Sequence, residues 1–233
     1  MRQVVLDTET TGLDAGLGHR IIELAGVELV NRRLTGNHFH QYLNPERDSE
    51  AGALQVHGLT SEFLQDKAKF AEISGEFLRF IAGAELIIHN APFDVAFLNA
   101  ELGKTQLGAL QNHCASITDT LRIAKGLNPG KRNNLDALCE RYGVDHSART
   151  VHGALLDAQL LAEVYLAMTR GQDSLAIDLT LTQVAAAMDG QPIDAQALLV
   201  VRATEQELAA HEVLLAEVKK AAKGVCLWDA QAE

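Results

Sequence analysis

Apolar residues recur along the 233-residue chain in two rhythms, one suited to strands and one to helices. The opening RQVVLD (2–7) is a compact apolar run of strand length. IIELAGVELV (21–30) reads as a second strand. HFHQYLN (38–44) alternates as a third, and NRRLTG between them reads as the turn. Three successive strands with short connections predict an antiparallel meander. Residues 60–82 then follow a helical period. Thr60 or Ser61 stands at the start, and Phe63, Phe70, Ile73, Phe77, Phe80 and Ile81 form an apolar stripe.

The second part of the chain alternates strand and helix. AELIIHN (84–90) is a short buried strand, and Pro92–Leu102 a helix with proline in its first turn. SITDTL (116–121) is a strand running into a helix. NLDALCERYG (134–143) is a helix stopped by Gly143, and residues 152–170 form a long helix with its own short approach. A meander followed by alternation predicts an α/β fold, a mixed central sheet with helices packed on it.

After residue 170 the pattern changes. Residues 171–200 contain no lysine, arginine or aromatic residue and read as a linker. In ATEQELAAHEVLLAEVKKAAKG (203–224), Thr204 and Glu207 have the spacing of a capping box, three lysines lie near the far end, and Gly224 is a stop signal. Leu227 and Trp228 follow close to the end of the chain.

Composition narrows the reading. A 47% hydrophobic content supports a substantial core, and a net charge of −11 argues against a protein that holds polyanions by broad electrostatic attraction. Cys114, Cys139 and Cys226 lack metal-type spacing and suit a reducing cytoplasm. Neither a signal peptide nor an apolar run of membrane-spanning length is expected.

The chemistry sits where acids interrupt apolar stretches. In VVLDTETTG (4–12), Asp7 and Glu9 are two apart on a strand and so share a face. Alone, such a pair reads as a solvated strand end; buried, it requires protons or a cation. Asp94 of HNAPFD (89–94) falls in a first helical turn, where a carboxylate also suits the helix dipole. Asp157 interrupts the apolar face of LLDAQLLAEVYL. His152 lies five residues earlier, about 140° away on a helix, and fits better on the approach to it. Asp7, Glu9 and Asp157 can hold one hard divalent cation. Asp7 can bridge to a second, with Asp94 reaching it through water. Two such cations suit in-line attack on a phosphodiester, with His152 taking the proton from water.

In order and spacing, DTETTG, HNAPFD and VHGALLDA resemble the three motifs of the DEDDh 3′–5′ exonucleases. The resemblance implies a ribonuclease-H-like fold, Mg²⁺ or Mn²⁺, and release of nucleoside monophosphates. It makes Asp7, Glu9, Asp94 and Asp157 the metal carboxylates and His152 the general base. Asp7, Thr8, Glu9, His57 and Asp157 are then expected around the terminal nucleotide, with the Thr8 backbone near its 3′-hydroxyl. Asn90 would orient the second motif, and Phe93 and Leu13 either wedge against the terminal base or belong to the core.

Within that family, residues 1–170 are most similar to the proofreading subunits of bacterial replicative polymerases, through NRRLTGNHFHQYLNP, VHGLT and GKRNNLDALC. This implies a DNA 3′ terminus as substrate and a polymerase alpha subunit docked on residues 201–233, anchored by Leu227 and Trp228. QDSLAI (172–177), within the 171–200 linker, resembles a sliding-clamp motif contacting the beta clamp through Gln172, Leu175 and Ile177. A small theta-like subunit is a further possible partner. The catalytic motifs alone leave open an exoribonuclease, or a tether in which catalysis is dispensable.

Overall fold

A computed structural model describes residues 1–147, 149, 151–170 and 203–221. The chain divides into two units, Met1–Ala176 and Ile177–Glu233.

The first unit is built on a five-stranded sheet in the order β3-β2-β1-β4-β5. β1 (Arg2–Thr10), β2 (Ile21–Val30) and β3 (Arg33–Tyr42) are the antiparallel meander. β4 (Glu85–Ile88) and β5 (Ser116–Asp119) add to it in parallel, β4 pairing directly with β1. The expected mixed sheet is therefore present. The β2–β3 turn is tighter than NRRLTG suggested: Asn31 and Arg32 alone form it, at φ 49° and 61°. A two-residue turn with both residues left-handed matches the strand twist, so Arg33–Gly36 continues β3.

Side chains along β1 alternate between two cores. Val4 and Leu6 join Phe39, Phe77 and Phe97 on one side, packed by α3 (Phe70–Ile81) and α4 (Ala91–Lys104). Val5 joins Val27, Ile87 and Leu161 on the other, packed by α6 (Leu135–Tyr142) and α7 (Ala154–Met168). Gly26 allows this close packing, because a β-carbon there would lie 3.0 Å from Val4 and 3.1 Å from the Phe80 ring.

The single helix expected over 60–82 is two. α2 (Ser61–Leu64) is capped by Thr60, whose hydroxyl accepts from the Phe63 amide at 3.2 Å. α3 restarts at Lys69, whose amide donates to Glu72 at 2.7 Å. Phe63 consequently leaves the apolar stripe. It is 42% exposed and packs edge-on against Tyr42. A short α1 (Ala51–His57), absent from the sequence reading, precedes them and ends at a left-handed Gly58. α5 (Thr120–Leu127) follows β5 directly.

In the second unit, α8 spans Glu205–Ala221. Its expected capping box is formed: the Thr204 amide donates to Glu207 at 2.8 Å, and the Glu207 amide to the Thr204 hydroxyl at 3.3 Å. Leu208, Leu214, Leu215 and Val218 fall within about a third of the helix circumference at 100° per residue. Leu208, Leu214 and Val218 are exposed. Among the described residues, no helix is long and apolar enough to cross a membrane. Residues 171–200, the 172–177 motif with Gln172, Leu175 and Ile177, and the Leu227–Trp228 pair lie outside the described residues.

Candidate active site

Three elements converge at the end of β1. Asp7 and Glu9 share the strand face of Val5, toward α7, where Asp157 lies in the first turn. Just after Glu9 the β1–β2 register shifts, a local irregularity at the point where the chain leaves the sheet. β4 runs parallel to β1 and ends beside it, so α4 starts at the same end of the sheet and carries Asp94 in its first turn. The sharp entry into α4 is made by Asn90, left-handed at φ 64°, whose amide donates to Asp119 at 3.1 Å. Asparagine tolerates this conformation better than most side chains. Thr8, on the opposite face from Asp7, donates its hydroxyl to Asp94 at 2.7 Å and links the first two motifs.

The carboxylates feel one another. Burial pushes Asp7 well above the usual carboxylate range, and Asp94, Glu9 and Asp157 push it further. Burial raises Glu9 to about 8, assisted by Asp157 and by Glu23, its register partner on β2. Burial raises Asp94 to about 7 against the opposing hydrogen bond from Thr8. Such a cluster holds protons unless cations neutralise it.

The donor set fits a hard divalent cation. One ligand atom each from Glu9, His152 and Asp157 lie within 4.8 Å of one another. His152 precedes α7, is exposed, and is held by its amide donating to the Val56 carbonyl at 3.1 Å. All five expected catalytic residues line one cleft of 290 Å³, together with Phe93 and Asn90.

Other expectations separate from this cluster. Leu13 is 82% exposed, so it is not a core residue. His57 is buried at the end of α1, next to the Val56 that anchors His152, but does not line the cleft. Its Nδ1 accepts from the Leu59 amide at 2.9 Å, and burial lowers its pKa. The proton of the neutral ring is therefore on Nε2, which has no hydrogen-bond partner among the described residues.

Sequence reasoning passed over Arg149, which lies within the cleft and is 7% exposed. Its Nε donates to Asp157 Oδ1 at 2.6 Å and its Nη2 to Oδ2 at 2.7 Å. Nη2 also reaches His152 Nδ1 at 2.9 Å, and Nη1 pairs with Asp136 of α6. Burial opposes its charge, yet Asp157 and Asp136 hold its pKa above the ordinary value. The only sequence signal was a basic residue three positions before His152.

Residues 4–165 match the family model described as an exonuclease. The chain is 52% identical to the DNA polymerase III subunit epsilon of Escherichia coli (strain K12), covering 98% of both chains. The chain belongs to the DNA polymerase III epsilon subunits. It is 46% identical to the epsilon subunit of Rickettsia prowazekii, over 94% of this chain and 97% of that one. Its activity is that of a 3′–5′ proofreading exonuclease, in a metal-dependent family. Solved structures extend the fold likeness. E. coli exonuclease I in complex with a dT13 oligonucleotide superposes with a TM-score of 0.64 at 19% identity, over 77% of this chain and 43% of that one. A 3′-exonuclease recognising a histone mRNA stem-loop superposes at 0.61 and 18% identity, over 72% and 63%. These likenesses establish the shared ribonuclease-H-like sheet and helices.

Proposed function

We propose that Asp7, Glu9, Asp94 and Asp157 hold two divalent cations, Mg²⁺ or Mn²⁺, and that His152 is the general base for hydrolysis of the terminal phosphodiester of a DNA 3′ end. The observation that carries this reading is the meeting of four mutually repelling carboxylates and an exposed histidine in one cleft. When bound, the cations would supply Lewis-acid activation of water and stabilisation of the leaving oxygen. The chain's own residues do the rest. Thr8 fixes Asp94, and its backbone lies between the two β1 carboxylates, where it can face the terminal 3′-hydroxyl. Phe93, in the cleft and 4.9 Å from Phe97, offers an apolar surface to the terminal base. His57, whose buried Nε2 has no partner among the described residues, supports the neighbouring wall of the nucleotide site.

The substrate is single-stranded or mispaired DNA, released as deoxynucleoside 5′-monophosphates. A second cavity of 590 Å³ shares His89, Asn90 and Asn134 with the cleft and brings Lys125 and Lys131 alongside it. This supplies local positive charge despite the acidic whole. Affinity comes largely from the polymerase, which presents a frayed terminus at high effective concentration.

Residues 1–170 form the exonuclease domain in this reading, 171–200 a linker with the beta-clamp motif, and 201–233 the alpha-binding segment, the whole working in the bacterial cytoplasm at the replisome. The exposed apolar positions of α8 support a docking role.

The test is digestion of 5′-labelled single-stranded DNA and RNA oligomers of matched sequence, with Mg²⁺ and with EDTA. Metal-dependent 3′ laddering of DNA is expected. Preferential cleavage of RNA would overturn the substrate assignment while keeping the site.

A further inference from the structure

Arg149 does more than add a buried ion pair. A single planar guanidinium engages both oxygens of Asp157, a carboxylate of α6 and the ring of His152. We propose that Arg149 is a positioning residue that serves as the site's internal cation before metal binds, and that loading a divalent cation on Asp157 requires the guanidinium to leave.

A metal held by Asp157 takes at least one carboxylate oxygen, and both accept from the Arg149 fork at 2.6 and 2.7 Å. The Asp157 side chain is 5% exposed, so a second cation cannot readily approach it from open solvent while the fork is seated. A guanidinium at hydrogen-bonding distance from a metal's own ligand would lie a few ångström from a doubly charged ion, in a site that screens poorly. Arginine cannot lose its proton to escape this repulsion, so it must move. Its place in the chain makes such movement local: it lies three residues before His152 and eight before Asp157.

A guanidinium carries donors only, so the contact from Nη2 to His152 Nδ1 requires Nδ1 to offer its lone pair. While Arg149 is seated, that lone pair is occupied. Departure of the guanidinium therefore frees an Asp157 oxygen and the His152 nitrogen together. Metal loading and release of the base become one event, and a metal-free site holds its base engaged.

The proposal rests on Asp157 as a metal ligand, and the test separates the two claims. Mn²⁺ binding to the full chain is measured by calorimetry without DNA, at fixed pH and ionic strength, for wild type, Arg149→Gln and Arg149→Lys. Removing a competing charged fork should tighten Mn²⁺ binding about tenfold or more in Arg149→Gln and lower its Tm in EDTA. Arg149→Lys, which keeps the charge but not the fork, should fall between. A purely structural role would leave Mn²⁺ affinity unchanged or weaken it, and either result overturns the proposal while the metal reading stands. Absence of Mn²⁺ binding by all three proteins overturns both. In ¹⁵N-labelled wild type, which avoids any folding defect, the Arg149 Nε–H should be protected from exchange in EDTA and lose protection on saturation with Mg²⁺. Persistent protection at saturating Mg²⁺ also overturns the proposal.

Discussion

Replacing Glu9 by glutamine should stabilise the metal-free protein while destroying its activity. Glu9 is 9% exposed, and its pKa is raised from 4.5 to about 8 by burial, then by Asp157 and Glu23. A folded-state pKa above the unfolded value means that the folded protein binds the proton more tightly. The associated stability is present below about 4.5 and is lost as pH rises through about 8. At about 1.4 kcal/mol for each tenfold change in proton affinity, the full displacement corresponds to about 5 kcal/mol above pH 8. Relaxation around the ionised group reduces such penalties, so a gain of at least ~1 kcal/mol is expected for Glu9→Gln at pH 9, or ~2–4 °C in Tm. The assay is thermal unfolding of wild type and variant in EDTA at pH 5 and pH 9. Wild type should be less stable at pH 9, and the variant should recover part of the loss. Saturating Mg²⁺ should raise the wild-type Tm at pH 9 more than that of the variant. A variant no more stable than wild type at pH 9 in EDTA would refute the claim that repulsion and burial penalise this carboxylate.

Other consequences are open to single assays. Asp7→Ala and Asp157→Ala should each abolish 3′ cleavage, and near-normal turnover in either would reject the metal assignment. His152→Ala should lower kcat on the order of 10²-fold through loss of the general base, read in single-turnover digestion of a DNA oligomer. Thr8→Val removes the hydroxyl that donates to buried Asp94; it should destabilise the fold by about 1–3 kcal/mol in urea unfolding at pH 9 and reduce turnover. Trp228→Ala should weaken binding to the polymerase alpha subunit in surface-plasmon measurements while leaving hydrolysis of short oligomers unchanged.

The sheet was legible because each strand carries its own rhythm. The continuous apolar run Val4, Val5 and Leu6 supplies both cores, because successive side chains of a strand point to opposite faces. The carboxylates were legible for the opposite reason, since acids interrupt stretches that otherwise read as core. Asp157, 4% exposed among the leucines of α7, is the clearest case. The 60–82 region misled because Phe63 is in helical phase with Phe70, although Thr60 and Lys69 begin separate helices. α1 was missed because AGALQVH has only two large apolar residues, Leu54 and Val56, both exposed. Arg149 was beyond reach for another reason. Its importance depends on meeting Asp136 and Asp157, which lie thirteen and eight residues away and come from two different helices. No local pattern announces a pairing made by tertiary packing.

Anomalous diffraction from crystals grown with Mn²⁺ decides whether the four carboxylates form a divalent-metal centre. Strong manganese peaks are expected among Asp7, Glu9, Asp94 and Asp157, two of them if both cations of a two-metal centre are held. Crystals of active protein, saturated with Mn²⁺ but showing no peak among these residues, would contradict such a centre.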